Sequence, residues 1–284
     1  MAILAQILLQ TSIDPCTFVE YHKAYYPDVV ALCGRSKSTA GSSEQPMTIE
    51  AVVFDLDGTI VKFNLDYKAA RAEVIEFLVN QGFPRSVFSI NESVFEMLKK
   101  TEIYMKNHRV DKDFLKVKKD VLSIMEKYEM ESAKSTQLVP GILETLQALK
   151  KMKLKLGLFT VNSRNATEHI LSTFRLKTFF KTIVTRDSVS FVKPNPMHLE
   201  TVLKSLKAKP EQTIVVGDST MDMKSAQELD VYSVGTSTGF ATPEQLTQAG
   251  ANCLISSPLD LTELIQKLNQ NNTTRADTGP RGQQ

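Results

Sequence analysis

The sequence predicts an α/β fold, a doubly wound parallel sheet of the Rossmann-like kind with an α-helical insert. Three observations carry that prediction. Short apolar runs rich in β-formers, Ala51–Phe54, Lys155–Phe159 and Thr213–Gly217, alternate with helical stretches, as in a parallel sheet covered on both faces. Each of these runs is followed at once by a polar residue, Asp55, Thr160 and Asp218. Between the first run and the second, residues 64–136 are helical in pattern, with almost no Gly or Pro.

The first strand ends in Phe54-Asp-Leu-Asp-Gly58, two carboxylates in alternation followed by a residue that permits a sharp turn. In the insert, apolar positions recur at helical spacing in three stretches: Leu65 to Val79, Asn91 to His108 and Asp113 to Met130. Three helices of that size bury their stripes against one another as a small bundle, an inserted cap or lid. Its methionines (Met97, Met105, Met125, Met130) read as adaptable core, and its basic residues, Arg71, Lys99, Lys100, Lys106 and Arg109, mainly as solvated faces.

The core resumes at Gln137. Ile142, Leu143, Leu146 and Leu149 form one helical face, and the second strand ends in Thr160. A helix over 166–174 and a strand over 182–185 precede a loop carrying Lys193, with Asn195 as helix cap and Pro196 at the first helical position. After the strand ending at Asp218 come helix 220–229, strand 231–235, helix 241–250, strand 252–255 and helix 258–268. The resulting domain map is an N-terminal extension (1–47, flexible), a core (48–63 and 137–268), a cap (64–136) and a disordered tail (269–284). Met47 reads as the functional start, preceded by a small polar linker.

Composition narrows the function classes. With 284 residues, 42% hydrophobic and 23% charged, the chain has ample material for a core. A net charge of +2 gives no basic footprint for nucleic acid, and no run reaches the roughly 20 apolar residues of a membrane span. Cys16, Cys33 and Cys253 lack any CxxC spacing and read as free thiols in a reducing cytoplasm. The four histidines form no ligand spacing and read as surface or packing residues.

Asp55, Asp57, Thr160, Lys193 and Asp218 all fall at the carboxyl ends of strands, where open parallel sheets bind ligands. Acids there are costly to bury unless neutralised. Lys or Arg could do this, and so could a cation. An oxygen-only ligand set points to a hard ion, Mg2+. Thr160 alone is also an ordinary strand-end cap, Asp222 an acid favoured by a helix start, and Ser219 and Asn162 possible caps.

In their order, Phe54-Asp-Leu-Asp-Gly-Thr59, Thr160, Lys193-Pro-Asn-Pro196 and Gly217-Asp-Ser-Thr-Met-Asp222 resemble the haloacid dehalogenase superfamily of phosphohydrolases. The likeness spans residues 51 to about 260. A helical insert between the first two motifs is similar to the subgroup with a C1-type cap, which includes phosphoglycolate phosphatases. The resemblance implies that Asp55 is the nucleophile that becomes an aspartyl-phosphate, and that Asp57 is the general acid and base. It implies Thr160, Lys193 and Asn162 around the phosphoryl group, and Mg2+ held by Asp55, the Asp57 carbonyl, Asp218 and Asp222. Lys62 and Phe63, just after the first motif, are placed to face the leaving group. Departures are Val161 between Thr160 and Asn162, Asn195 where Asp is common, and Lys153 and Asp230 where Gly is frequent. The implied activity is hydrolysis of a small phosphorylated metabolite, phosphoglycolate first, by a cytoplasmic monomer or homodimer without nucleic-acid or membrane partners. A phosphomutase and a non-catalytic phosphate-binding or scaffold protein are the alternatives.

Overall fold

The computed structural model describes residues 48–276. The expected N-terminal extension, with Met47 as the functional start, and residues 277–284 lie outside the described residues. Six parallel strands form one sheet: β1 (Ala51–Phe54), β2 (Lys155–Phe159), β3 (Thr182–Val184), β4 (Thr213–Gly217), β5 (Tyr232–Thr236) and β6 (Cys253–Ile255). Their order is β3-β2-β1-β4-β5-β6, so β1 is central and the chain changes direction across the sheet beside it. That reversal opens a crevice at the carboxyl end of β1.

Alternation along β1 explains why its four residues are all apolar. Val52 and Phe54 join one core, and Ala51 and Val53 join the core on the opposite face. The first core is covered by α4 (Ile142–Lys151), α5 (Arg164–Thr173) and α9 (Asp260–Ala276), and the second by α6 (Pro196–Leu206) and α7 (Thr220–Gln227). A short α8 (Pro243–Gln248) packs beside α7 through Leu246 and Met223. Among the described residues no helix is long and apolar enough to cross a membrane.

The insert forms α1 (Tyr67–Asn80), α2 (Val94–His108) and α3 (Phe114–Ser135). Val74, Leu78, Met97, Leu98 and Val121 build its own core. Helix α3 runs five residues beyond the expected end at Met130, because its second half has a second partner. Ala133 and Met130 pack into the main core, while Val117 and Val121 belong to the cap. Helix α9 likewise continues to Ala276, so residues 269–276 are helical where a disordered tail was expected. Asn269 Oδ1 accepts the Ile49 amide (2.9 Å) and ties that helix to the start of β1. The expectation of free thiols fails for Cys253, which is disulfide-bonded.

Candidate active site

Asp55 follows β1 directly, its amide bonded to the Val216 carbonyl (2.9 Å), so the sheet ladder fixes its backbone. The chain then turns sharply: Ile60 and Val61 donate to the Leu56 carbonyl (2.8 and 3.0 Å), and Gly58 adopts φ 76°. A side chain at Gly58 is excluded on a second ground, since its Cβ would lie 2.3 Å from Asp218 Oδ2. The turn also separates the two first-strand acids.

Asp55 Oδ1 accepts from Lys193 Nζ (2.6 Å), which donates equally to Asp222 Oδ1 (2.7 Å). Asp57 turns away, and its Oδ2 accepts from Asn162 Nδ2 (2.6 Å). Asp218 Oδ2 accepts the Phe240 amide (2.7 Å). Asp222 Oδ2 accepts from Ser219 Oγ and the Ser219 amide (2.6 and 3.1 Å), closing a capping box at the start of α7. Cap and site roles therefore coincide in Asp222 and in Ser219, a cap that also lines the cavity, and Asn162 is a site contact.

Four buried or half-buried carboxylates thus share the site with one ammonium, and the electrostatics follow from that imbalance. Burial, opposed by Lys193 and reinforced by Asp222 and Asp218, raises Asp55 well above the usual carboxylate range. Burial and the neighbouring Asp55 push Asp57 up to about 7, and burial with Asp222 pushes Asp218 up to about 6. The acids around Lys193 outweigh its own desolvation and raise its pKa. Its position is set from behind by His198, whose Nδ1 accepts the Lys193 amide (3.3 Å) while Nε2 faces the Val184 carbonyl (3.2 Å). Burial and the Lys193 charge lower His198 to about 4, so at neutral pH it holds this relay as the neutral ring.

Residues 52–236, which include Asp55, Asp57, Asn162, Lys193, His198, Asp218 and Asp222, match the haloacid dehalogenase-like hydrolase family. The chain is a haloacid dehalogenase-like hydrolase. Among curated relatives, it is 29% identical over 227 residues to pyrophosphatase PpaX of Bacillus mycoides (strain KBAB4), covering 78% of this chain and 100% of that one. The PpaX of Bacillus thuringiensis (strain Al Hakam) is 27% identical over 241 residues, covering 79% and 100%. Among solved structures, a hydrolase from Pseudomonas syringae superposes with TM-score 0.58 at 23% identity, covering 77% of this chain and 98% of that one. A predicted phosphoglycolate phosphatase from Haemophilus somnus 129pt does so with TM-score 0.55 at 21%, covering 76% and 97%. These superpositions show the fold.

The donor set of this hydrolase fits a hard divalent cation. Carboxylate oxygens of Asp55, Asp218 and Asp222 lie within 4.8 Å of one another, all three residues are buried, and their ligand atoms are oxygen alone. Gly58 and Gly239 form a cradle around Asp218 that any Cβ would fill, at 2.3 and 1.9 Å from Oδ2. The Asp57 side chain stands outside this cluster, so only its backbone carbonyl remains for the ligand role that the resemblance implies.

The other expected residues separate. Thr160 is buried beneath the site, its Oγ1 accepting the Asn162 amide (3.1 Å), while Val161 and Asn162 line the cavity. Phe63 lines it too, but Lys62 Nζ bonds Gln137 Oε1 (3.1 Å) across the two chain crossings to the cap and lines a second pocket that shares Phe63, Tyr67 and Phe240 with the first. Met125, expected as core, also faces the cavity, as does Arg71. The sequence reading missed His198 and the Thr238–Phe240 loop. Thr238 Oγ1 donates to the Gly58 carbonyl (2.6 Å), and Phe240 joins Phe63 and Tyr67 in an aromatic rim with centroids 5.8 and 5.5 Å away. The available signal was Gly239, a glycine just beyond a strand end.

Proposed function

We propose that this hydrolase is a Mg2+-dependent phosphatase that cleaves a small phosphomonoester through an aspartyl-phosphate on Asp55. The observation that carries this reading is the division of the two first-strand carboxylates: Asp55 lies against the Lys193 ammonium, while Asp57 lies against the neutral Asn162 amide. Asp55 Oδ attacks phosphorus and the ester oxygen leaves with the Asp57 proton. Water then attacks the phosphorus while Asp57 takes its proton back, which releases phosphate and restores both acids. With its pKa near 7, Asp57 carries a proton in a usable fraction of molecules at neutral pH. Lys193 and Asn162 hold phosphoryl oxygens, and the Thr160 hydroxyl, which accepts from Asn162, keeps its own proton to donate. The cation held by Asp55, Asp218 and Asp222 supplies charge neutralisation at the phosphoryl group.

The leaving group carries a second anionic charge. Arg71 lines the same cavity, of about 180 Å³, beneath apolar walls that include Leu65, Val94 and Phe95. Its guanidinium sits 4.7 Å from the Tyr67 ring and donates to the Ile90 carbonyl (3.3 Å). Unlike Lys193, it has no carboxylate within ion-pair distance among the described residues. A carboxylate suits it, as in phosphoglycolate, and so does a second phosphate, in keeping with the pyrophosphatase relatives.

The test is phosphate release from a panel of small phosphoesters with Mg2+, beside Asp55→Asn. Release by the wild type and none by the variant supports the reading. An isomeric phosphate with little free phosphate selects a mutase. Binding of phosphate without turnover of any ester selects a non-catalytic binder.

A further inference from the structure

One buried ion pair takes no part in the chemistry above, yet it reaches the loop that carries Asn162. Glu129, on cap helix α3, is 3% exposed, and Arg186, just after β3, is 6% exposed. Arg186 Nη1 donates to Glu129 Oε1, and Nη2 donates to the Leu122 carbonyl (3.2 Å), also on α3. The same two residues hold three of the four positions, 161–163, of the turn between β2 and α5. Arg186 Nη1 donates to the Val161 carbonyl (3.3 Å), the Arg186 amide donates to the Asn162 carbonyl (3.3 Å), and Glu129 Oε2 accepts the Ser163 amide (3.0 Å). Every one of these contacts is to backbone, which leaves the Asn162 side chain free to reach Asp57 at 2.6 Å.

Burying a charge pair gives little net stability against an apolar pair of equal volume, but it fixes geometry strictly. Here the geometry spans two layers, because α3 belongs to the cap and the turn belongs to the sheet. Helix α3 also lies along α5, with Asn165 Nδ2 donating to Glu126 Oε1. We propose that Glu129 and Arg186 are positioning residues for the general acid: docking of α3 through this pair fixes the 161–163 turn and so holds the Asn162 amide on Asp57. On this account α3 is a fixed arm of the cap that communicates its docked state to the acid. The proposal rests on the phosphatase reading above for its catalytic readout, and on the fold alone for its structural one.

A double-mutant cycle tests it, with kcat and KM measured for wild type, Arg186→Met, Asn162→Ala and the double variant on one phosphoester. Arg186→Met lowers kcat about 10- to 100-fold, the cost of a small misplacement, with KM changed less than about twofold. Arg186→Lys, which keeps the charge but not the fork, recovers part of the loss. In the Asn162→Ala background, Arg186→Met costs nothing further in kcat, since the two act through one path. Additive losses in the double variant, or a fall confined to KM, overturn the proposal. Should Arg186→Met fail to fold, Glu129→Gln takes its place in the cycle. Amide hydrogen exchange at residues 161–163 provides a readout independent of turnover. Faster exchange there in the variants, with a wild type that hydrolyses no ester, defeats the phosphatase reading while the anchoring stands. Unchanged exchange overturns the anchoring itself.

Discussion

At the scale of single residues, the site works by giving two neighbouring carboxylates different surroundings. Gly58 makes that possible, because the turn it allows sends Asp57 to a neutral amide and leaves Asp55 beside an ammonium. The account predicts a leaving-group effect. Asp57→Asn lowers the rate on alkyl phosphates by about 10²- to 10⁴-fold, the range for general acid catalysis. On p-nitrophenyl phosphate, whose leaving group departs without a proton, the burst that reports formation of the phosphoenzyme is retained. An equal loss of that burst removes Asp57 from the acid role. Asp55 and Asp57 were legible because they stand together at a strand end, and Asp218 because it ends another buried run. His198 was not legible, because its work is done through the backbone of Lys193, and a histidine in a helix gives no sign of what its ring faces. Thr160 was legible as a polar strand end, and Asn162, two residues on and implied by the resemblance, does line the cavity.

At the scale of elements, periodicity placed every strand and cap helix, and the misplaced ends have physical causes. Helix α3 outran its apolar stripe because a second core receives its last two turns, and α9 outran its stripe in a polar segment tied back by Asn269. Lys153 and Asp230, noted as departures where glycine is frequent, prove to be backbone signals. They adopt φ 62° and 53° at the helix-to-strand turns after α4 and α7. Left-handed geometry strains a residue with a Cβ. Lys153→Gly and Asp230→Gly each stabilise the protein by on the order of 1 kcal/mol in chemical denaturation, with the denaturant slope unchanged. Destabilisation by either substitution contradicts this reading of the turns.

At the scale of the whole molecule, the sheet gathers acids from distant parts of the chain at one rim, and their repulsion sets the pH behaviour. Asp57 and Asp218 titrate near 7 and 6 in the folded protein, above the ordinary 3.8. The folded state therefore binds more protons than the unfolded one between these values. Their contribution to metal-free stability is present below about pH 4 and lost as pH rises to about 7. A cation that needs the deprotonated carboxylates reverses this loss, so Mg2+ raises the melting temperature little at pH 5 and more at pH 8. At a hundredfold excess over its dissociation constant the gain is about 2.7 kcal/mol, a shift of about 5 to 10 °C for a chain of this size. Thermal scans at the two pH values check it, and a shift absent at both contradicts the cation site.

The central claim is that Asp55 becomes phosphorylated, and rapid acid quench followed by peptide mass analysis tests it most directly. During turnover of a phosphoester with Mg2+, the peptide containing Asp55 is predicted to gain the mass of one phosphoryl group, labile to hydroxylamine and absent in Asp55→Asn. Steady phosphate release from a wild-type enzyme whose Asp55 peptide never carries that mass, even in the Asp57→Asn background where breakdown is slowed, would contradict the account.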